Sequence, residues 1–276
     1  MTTRFKAMLQ KNGIFYLSGC LLLCGIKILF GTASPDKLKW MLAPTARWVS
    51  ILSKISFSYD PQMGYVNHAW HFVIAPSCGG IRFLIICTAM LLFSCLHRIH
   101  TRKGKLFWTV CSPAAAYACT VFFNGMRIAA SIHLPHRLAG AGLLDGRLTP
   151  KRLHTLTGVI IYFTALLLLR LITELIFGKI AAGRYANPAG STEYSPAKEE
   201  LSSCTKSAPC SIFLSPAIWY LLFVVALPIP GRLVHGNWNG FGEYVLLVSG
   251  GCLAVWIPAK TASILHRKFI RHARSR

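Results

Sequence analysis

Acidic side chains are scarce in this chain: 8 Asp and Glu among 276 residues, against 30 Lys and Arg, for a formal net charge of +22. Charge of either sign is thin, at 14% of positions, while hydrophobic residues reach 54% and mean hydropathy is positive. That balance excludes an ordinary soluble domain and indicates a polytopic membrane protein. The positive charge raises nucleic-acid binding, but no motif of that class is present. The basic residues gather instead between apolar runs and in the tails, a distribution that retains loops on the cytoplasmic side and attracts anionic membrane lipid. A small-residue cleavage site is also missing, so the basic stretch Met1–Lys11 reads as the lead into a retained first span. No internal repeat occurs, and no carboxylate–histidine spacing such as H-E-x-x-H, so no metal or other cofactor is expected.

What is present is apolar sequence in lengths of about 20 residues, the length that crosses a bilayer. Six runs qualify or nearly do: Gly13–Phe30, Ile81–Leu96, Leu106–Ile128, Thr155–Phe177, Ser211–Leu227 and Phe241–Ala259. The second is short unless its helix begins at Cys78 or Gly79. Leu38–Ile55 carries Arg47 and Lys54 among Trp40, Trp48 and aliphatic residues, and reads as an interfacial amphipathic helix. Turn residues Asp60, Pro61 and Gly64 within Tyr59–His71 predict a short extracytoplasmic hairpin or loop. The fold expected is therefore an all-α polytopic membrane protein of about six spans. With both termini cytoplasmic, 17 of the 30 basic residues lie inside, 9 outside and 4 within spans, which favours that orientation. Lys179–Cys210 is rich in Ser, Pro, Ala, Gly and Lys and reads as a cytoplasmic linker. It separates a unit of four spans, residues 1–178, from a two-span appendage with a basic tail, residues 211–276.

In that topology three chemically capable residues share one depth on the outer side. Cys78 opens the second span, Arg127 lies near the outer end of the third, and His154 opens the fourth. A thiol becomes nucleophilic as its thiolate, and a helix N-terminus or nearby cation such as Arg82 favours that form. A histidine can take the thiol proton and return it to a leaving amine. An arginine can stabilise an oxyanion or clamp a carboxylate. Gly79 and Gly80 would expose amide donors for an oxyanion hole. Each residue also has a plainer reading. A lone cysteine in an apolar chain is usually core filler, as Cys20, Cys24, Cys87, Cys95, Cys111, Cys119 and Cys252 are read here. Arg127 can simply snorkel to the interface. His68, His71, His133 and His136 share the outer side, and composition does not select among them.

Three motifs resemble those of the exosortase/archaeosortase family of membrane-embedded cysteine transpeptidases: Cys78-Gly-Gly80-Ile81-Arg82, Asn124-Gly-Met-Arg127 and His154, in the family's order and over roughly residues 13–178. The resemblance implies catalysis by Cys78, Arg127 and His154, with Gly80, Arg82 and Asn124 in support. It implies partners that are exported proteins carrying a C-terminal sorting signal, a transmembrane anchor and a basic tail. It places the enzyme in a prokaryotic cytoplasmic membrane, with cleavage on the outer face through a thioester. The chain departs from many members of the family in having Pro76-Ser77 before Cys78 and Gly79 after it, and in its appendage. The competing expectation is a non-enzymatic membrane assembly or transport component that binds an anionic group at Arg127. A third keeps an enzyme but moves a lipid or glycan acyl group.

Overall fold

The computed structural model describes residues 2–31, 33–99, 101–140, 149–186, 216–236 and 238–274. Apolar runs become helices because a backbone in lipid must satisfy its hydrogen bonds internally. Helix α1 spans Thr2–Phe30, α2 Lys39–Ser53, α3 Ile81–Cys95, α4 Arg102–Gly140 and α5 Pro150–Ala186. Then come α6 (Pro216–Leu221), a π-helical turn (Leu222–Ala226), α7 (Ile229–His235) and α8 (Phe241–Arg274). Five stretches are long and apolar enough to cross a membrane: Asn12–Phe30, Pro76–Arg98, Arg102–Pro135, Arg152–Lys179 and Phe241–Ala262. The chain is an all-α membrane protein. Large side chains such as Ile14, Leu17, Leu21, Leu175, Leu246 and Leu253 stand exposed on α1, α5 and α8, as lipid-facing surfaces require.

The spans are not equivalent. The most apolar window of the α3 stretch is 83% buried within the protein, against 11–28% for the other four, so α3 is the axle of the bundle. Its side chains from Phe83 to Leu92 form the core with Met41, Leu42 and Val49 of α2 and Phe163 and Leu166 of α5. Cross-links give the bundle two ends. Asn12 of α1 meets Lys105 of α4, Tyr16 meets Phe93, and Trp108 meets Phe177 at one end. At the other end α2, the strands, and the starts of α3, α5 and α8 come together.

Between α2 and α3 the chain forms a three-stranded antiparallel sheet: β1 (Ser58–Asp60), β2 (Gly64–Asn67) and β3 (Phe72–Ile74), in that order. Asp60 Oδ1 accepts the amides of Gln62 and Met63 at 2.7 and 3.0 Å, closing the first turn. Gly64 completes it at φ +105°, where a Cβ would stand 2.5 Å from the carbonyl oxygen of Ile74. Strand β3 then delivers the chain into a 3-10 turn at Pro76–Cys78. Tyr59 ties the sheet to the α1–α2 connection by donating its hydroxyl to Asp36, which with the neighbouring negative charge pushes its pKa up to about 12.

Three expectations about the elements change. Helix α3 does not begin at Cys78 or Gly79; its N-cap is Gly80 at φ +80°, a left-handed kink that sets the Cys78 turn apart from the helix. Helix α5 continues to Ala186, beyond the expected linker start at Lys179, and residues 187–215 lie outside the described residues. The described part of the fifth run, Pro216–Ala226, measures only about 17 Å at 1.5 Å per residue. Its π-helical turn and Pro228 break it from α7. Even so, α6 to α8 are joined to the rest: Trp219 stacks on Phe93 at 5.5 Å, and Tyr220 tilts against Phe163 at 5.9 Å. Arg152 of α5 pairs with Glu243 of α8 at 2.5 Å, so the two helices start side by side.

Candidate active site

The site is built from the start of α3, the C-terminal half of α4 and the first turns of α5. Gly80 permits the closest approach. Besides its positive φ, a Cβ there would lie 2.9 Å from Thr120 Cγ2 and 3.1 Å from Asn124 Cγ. Only glycine relieves both constraints, so α4 packs directly on the backbone that carries Cys78.

Asn124, fully buried on α4, uses that proximity. Its Nδ2 donates to the Cys78 carbonyl at 2.7 Å, and its Oδ1 accepts from the Tyr162 hydroxyl at 2.6 Å. Tyr162 is held in turn by stacking on Phe83 of α3, with ring centroids 4.1 Å apart and 11° between planes. The buried amide is thus satisfied at both ends, and one side chain links α3, α4 and α5.

Arg127 lies one turn along α4. Its guanidinium sits over the Tyr162 ring, 5.4 Å from the centroid, and within electrostatic reach of His154. Gly158 of α5 makes room for it: a Cβ there would already touch Arg127 Cδ at 3.5 Å. Arg127 Nε is buried and has no hydrogen-bond partner among the described residues. One turn further, Ser131 Oγ faces His154 Nδ1 at 3.1 Å. His154 is exposed and lines a cavity of about 180 Å³ with Ser131, Thr157, Phe72, Leu134, Pro135 and Leu153.

The structure therefore orders the candidates as a ladder. Cys78, Asn124 and Tyr162 form one level, Arg127 the next, Ser131 and His154 the third. Seven residues of helix separate Asn124 from Ser131, about 10 Å along α4. Among the described residues, no hydrogen bond joins the half-buried Cys78 thiol to Arg127 or His154. Of the competing histidines, His68 and His71 are exposed near the sheet, and His133 packs edge-on against Trp70 at 6.2 Å. The side chain of His136 lies outside the described residues.

Two supporting expectations are revised. The Cys78 and Gly79 amides already bond Ala75 and Pro76 within the 3-10 turn, so Gly79 offers no free donor. Arg82 is exposed and within electrostatic reach of Tyr244 on α8. The helix does not include Cys78, so the four-residue spacing between Cys78 and Arg82 does not put them on one face. Sequence reasoning missed Tyr162 and Ser131. Ser131 falls at the seventh position after Asn124 and Tyr162 at the eighth after His154, spacings that repeat one helical face.

No family model, curated protein or solved structure matches the chain. Fold and site together define an all-α membrane protein with a polar ladder at one end of its bundle.

Proposed function

We propose that this chain is an exosortase-like membrane cysteine transpeptidase, acting on exported proteins that carry a C-terminal sorting signal and a membrane anchor. The observation that supports this reading most is the Asn124 bridge. The asparagine of one motif holds the cysteine turn of another, its arginine lies at the next level, and the histidine of the third motif follows at the level after that. Topology in this reading puts that end of the bundle outside the cytoplasmic membrane and both termini inside. Helix α2 rests at the membrane interface, and the broken segment α6–α7 makes the fifth of six crossings. The four-span unit and the appendage then form one body.

In the reaction the Cys78 thiolate attacks a peptide carbonyl carbon while Arg127 stabilises the oxyanion. His154 takes up the thiol proton and gives it to the leaving amine as the C–N bond breaks, leaving a thioester on Cys78. With His154 two levels from Cys78, the proton passes in this reading through the substrate or water that fills the gap. Water, an amine or a hydroxyl then attacks the thioester and restores the thiol. The test is processing of a co-expressed anchored substrate by Cys78→Ala and Cys78→Ser variants: accumulation of the uncleaved form is expected, and normal processing rejects thiol catalysis.

A second reading has its own observation. The unpartnered Arg127 Nε suits a binder of an anionic group, such as a lipid headgroup or transported anion, in a non-enzymatic membrane component. That reading expects Cys78→Ala to be silent and Arg127→Ala to abolish function.

A further inference from the structure

The Ser131–His154 contact has a consequence for the direction in which His154 can act. Hydroxyls inside the helices of this protein mostly turn back on their own chain: Ser50, Thr88, Ser112 and Thr120 all donate to the carbonyl four residues earlier. Ser131 does not. Its Oγ is 3.1 Å from His154 Nδ1, across the gap between α4 and α5. It lines the same cavity as the imidazole.

An imidazole that serves as base at Nε2 carries its proton on Nδ1, and after delivering a proton from Nε2 it again carries one on Nδ1. Nδ1 is thus a donor in every state of the cycle and needs an acceptor beside it. A ring nitrogen's proton is set by the hydrogen bond that nitrogen makes. The neighbouring guanidinium of Arg127 is all donor and cannot fill that role. Ser131 Oγ has the lone pairs, and its own proton is free to turn into the cavity. From these contacts we infer that Ser131 is a positioning residue: its Oγ accepts from Nδ1–H, fixes the tautomer of His154 and leaves Nε2 as the working nitrogen. The inference rests on the transpeptidase reading: the 3.1 Å contact fits a hydroxyl that accepts or donates, and the need for a base at Nε2 selects Nδ1–H.

The two can be tested apart. The full chain in lipid nanodiscs, with ¹⁵N-labelled histidine, reports which ring nitrogen is protonated, and His154→Gln identifies the His154 signals. Neutral His154 is expected to carry its proton on Nδ1 in the unaltered chain and in Ser131→Thr, and to shift toward Nε2–H in Ser131→Ala. Processing of the anchored substrate is expected to fall roughly tenfold or more in Ser131→Ala and to recover in Ser131→Thr. An Nε2–H ring in the unaltered chain, or a Ser131→Ala spectrum unchanged from it, overturns the inference while leaving thiol catalysis standing. Full processing by Cys78→Ala overturns the catalytic purpose, and the nitrogen spectrum still decides whether Ser131 sets the proton.

Discussion

Asn124 holds the carbonyl of Cys78 with its Nδ2 at 2.7 Å and receives the Tyr162 hydroxyl on its Oδ1 at 2.6 Å. The cysteine turn is outside α3 and has no helix ladder of its own beyond two short bonds, so this amide is what fixes it against the bundle. Asn124→Ala leaves a carbonyl and a hydroxyl without partners in a buried place and should cost about 2–3 kcal/mol. Tyr162→Phe keeps the stack on Phe83 and removes only the hydroxyl, for about 1 kcal/mol. Thermal unfolding in detergent of both single variants and the double variant measures the coupling; strictly additive losses would show that the bridge does not act as a unit.

Gly80 makes that bridge possible, and its substitution separates two effects. Gly80→Ala meets a strained φ of +80° and a contact of 2.9 Å with Thr120 Cγ2. The backbone strain costs on the order of 1 kcal/mol, and overpacking adds about 1–3 kcal/mol. Adding Thr120→Ser removes the clashing methyl and should return the overpacking part only. Complete rescue by Thr120→Ser would mean that the positive φ carries no cost here.

These positions show how far the sequence carries and where it stops. Hydropathy located the apolar stretch of each long helix, because apolar length is the quantity a membrane selects, but the helices run on beyond it, α8 as far as Arg274. The fifth run is less legible, since Pro216–Ala226 is apolar throughout while its π-helical turn and the break at Pro228 are matters of backbone geometry. The order of Cys78, Arg127 and His154 was readable, and so was the demand for a small residue at Gly80. Tyr162 and Ser131 were not, for inside a helix a tyrosine reads as core and a serine as filler. Their roles arise from facing helices, which a single chain does not reveal. The exclusion of Cys78 from α3 depends on one left-handed residue.

Arg127 and Gly158 form a size filter between α4 and α5. A Cβ at 158 would rest 3.5 Å from Arg127 Cδ, an ordinary contact, so Gly158→Ala should be tolerated. Gly158→Leu should push the guanidinium off the Tyr162 ring and act like Arg127→Ala. Processing of the anchored substrate checks this, with Arg127→Lys as the control that keeps charge but loses the planar fork. Equal activity in Gly158→Leu and the unaltered chain would remove Arg127's present placement from the mechanism.

The half-buried Cys78 thiol bears on sidedness. A membrane-impermeant maleimide applied to intact cells should label the unaltered chain, and the label should fall in Cys78→Ala. Cys87, Cys95 and Cys252 are buried and should react only after denaturation. Identical labelling of both chains, with Cys78 reacting only after denaturation, would place the thiol out of reach of the outer solution and count against the proposed access.

The last helices belong to the same body as the site, and the attachment is apolar more than ionic. Arg152 and Glu243 pair at 2.5 Å, but their side chains are 37% and 51% exposed, so Glu243→Gln should cost less than about 1 kcal/mol. Gly251 is different. A Cβ there would lie 2.8 Å from Val159 Cγ1, so α8 touches α5 at a point where no larger side chain fits. Gly251→Leu should cost about 1–3 kcal/mol or force the helices apart. Because Val159 sits five residues after His154 on α5, that variant should also lower processing, whereas Glu243→Gln should leave it nearly unchanged. Cleavage at a protease site introduced between residues 187 and 215 gives the direct measure: the two fragments should stay together through detergent purification in the otherwise unaltered chain and in Glu243→Gln, and separate in Gly251→Leu. Fragments that part in all three would make the C-terminal helices a separate body.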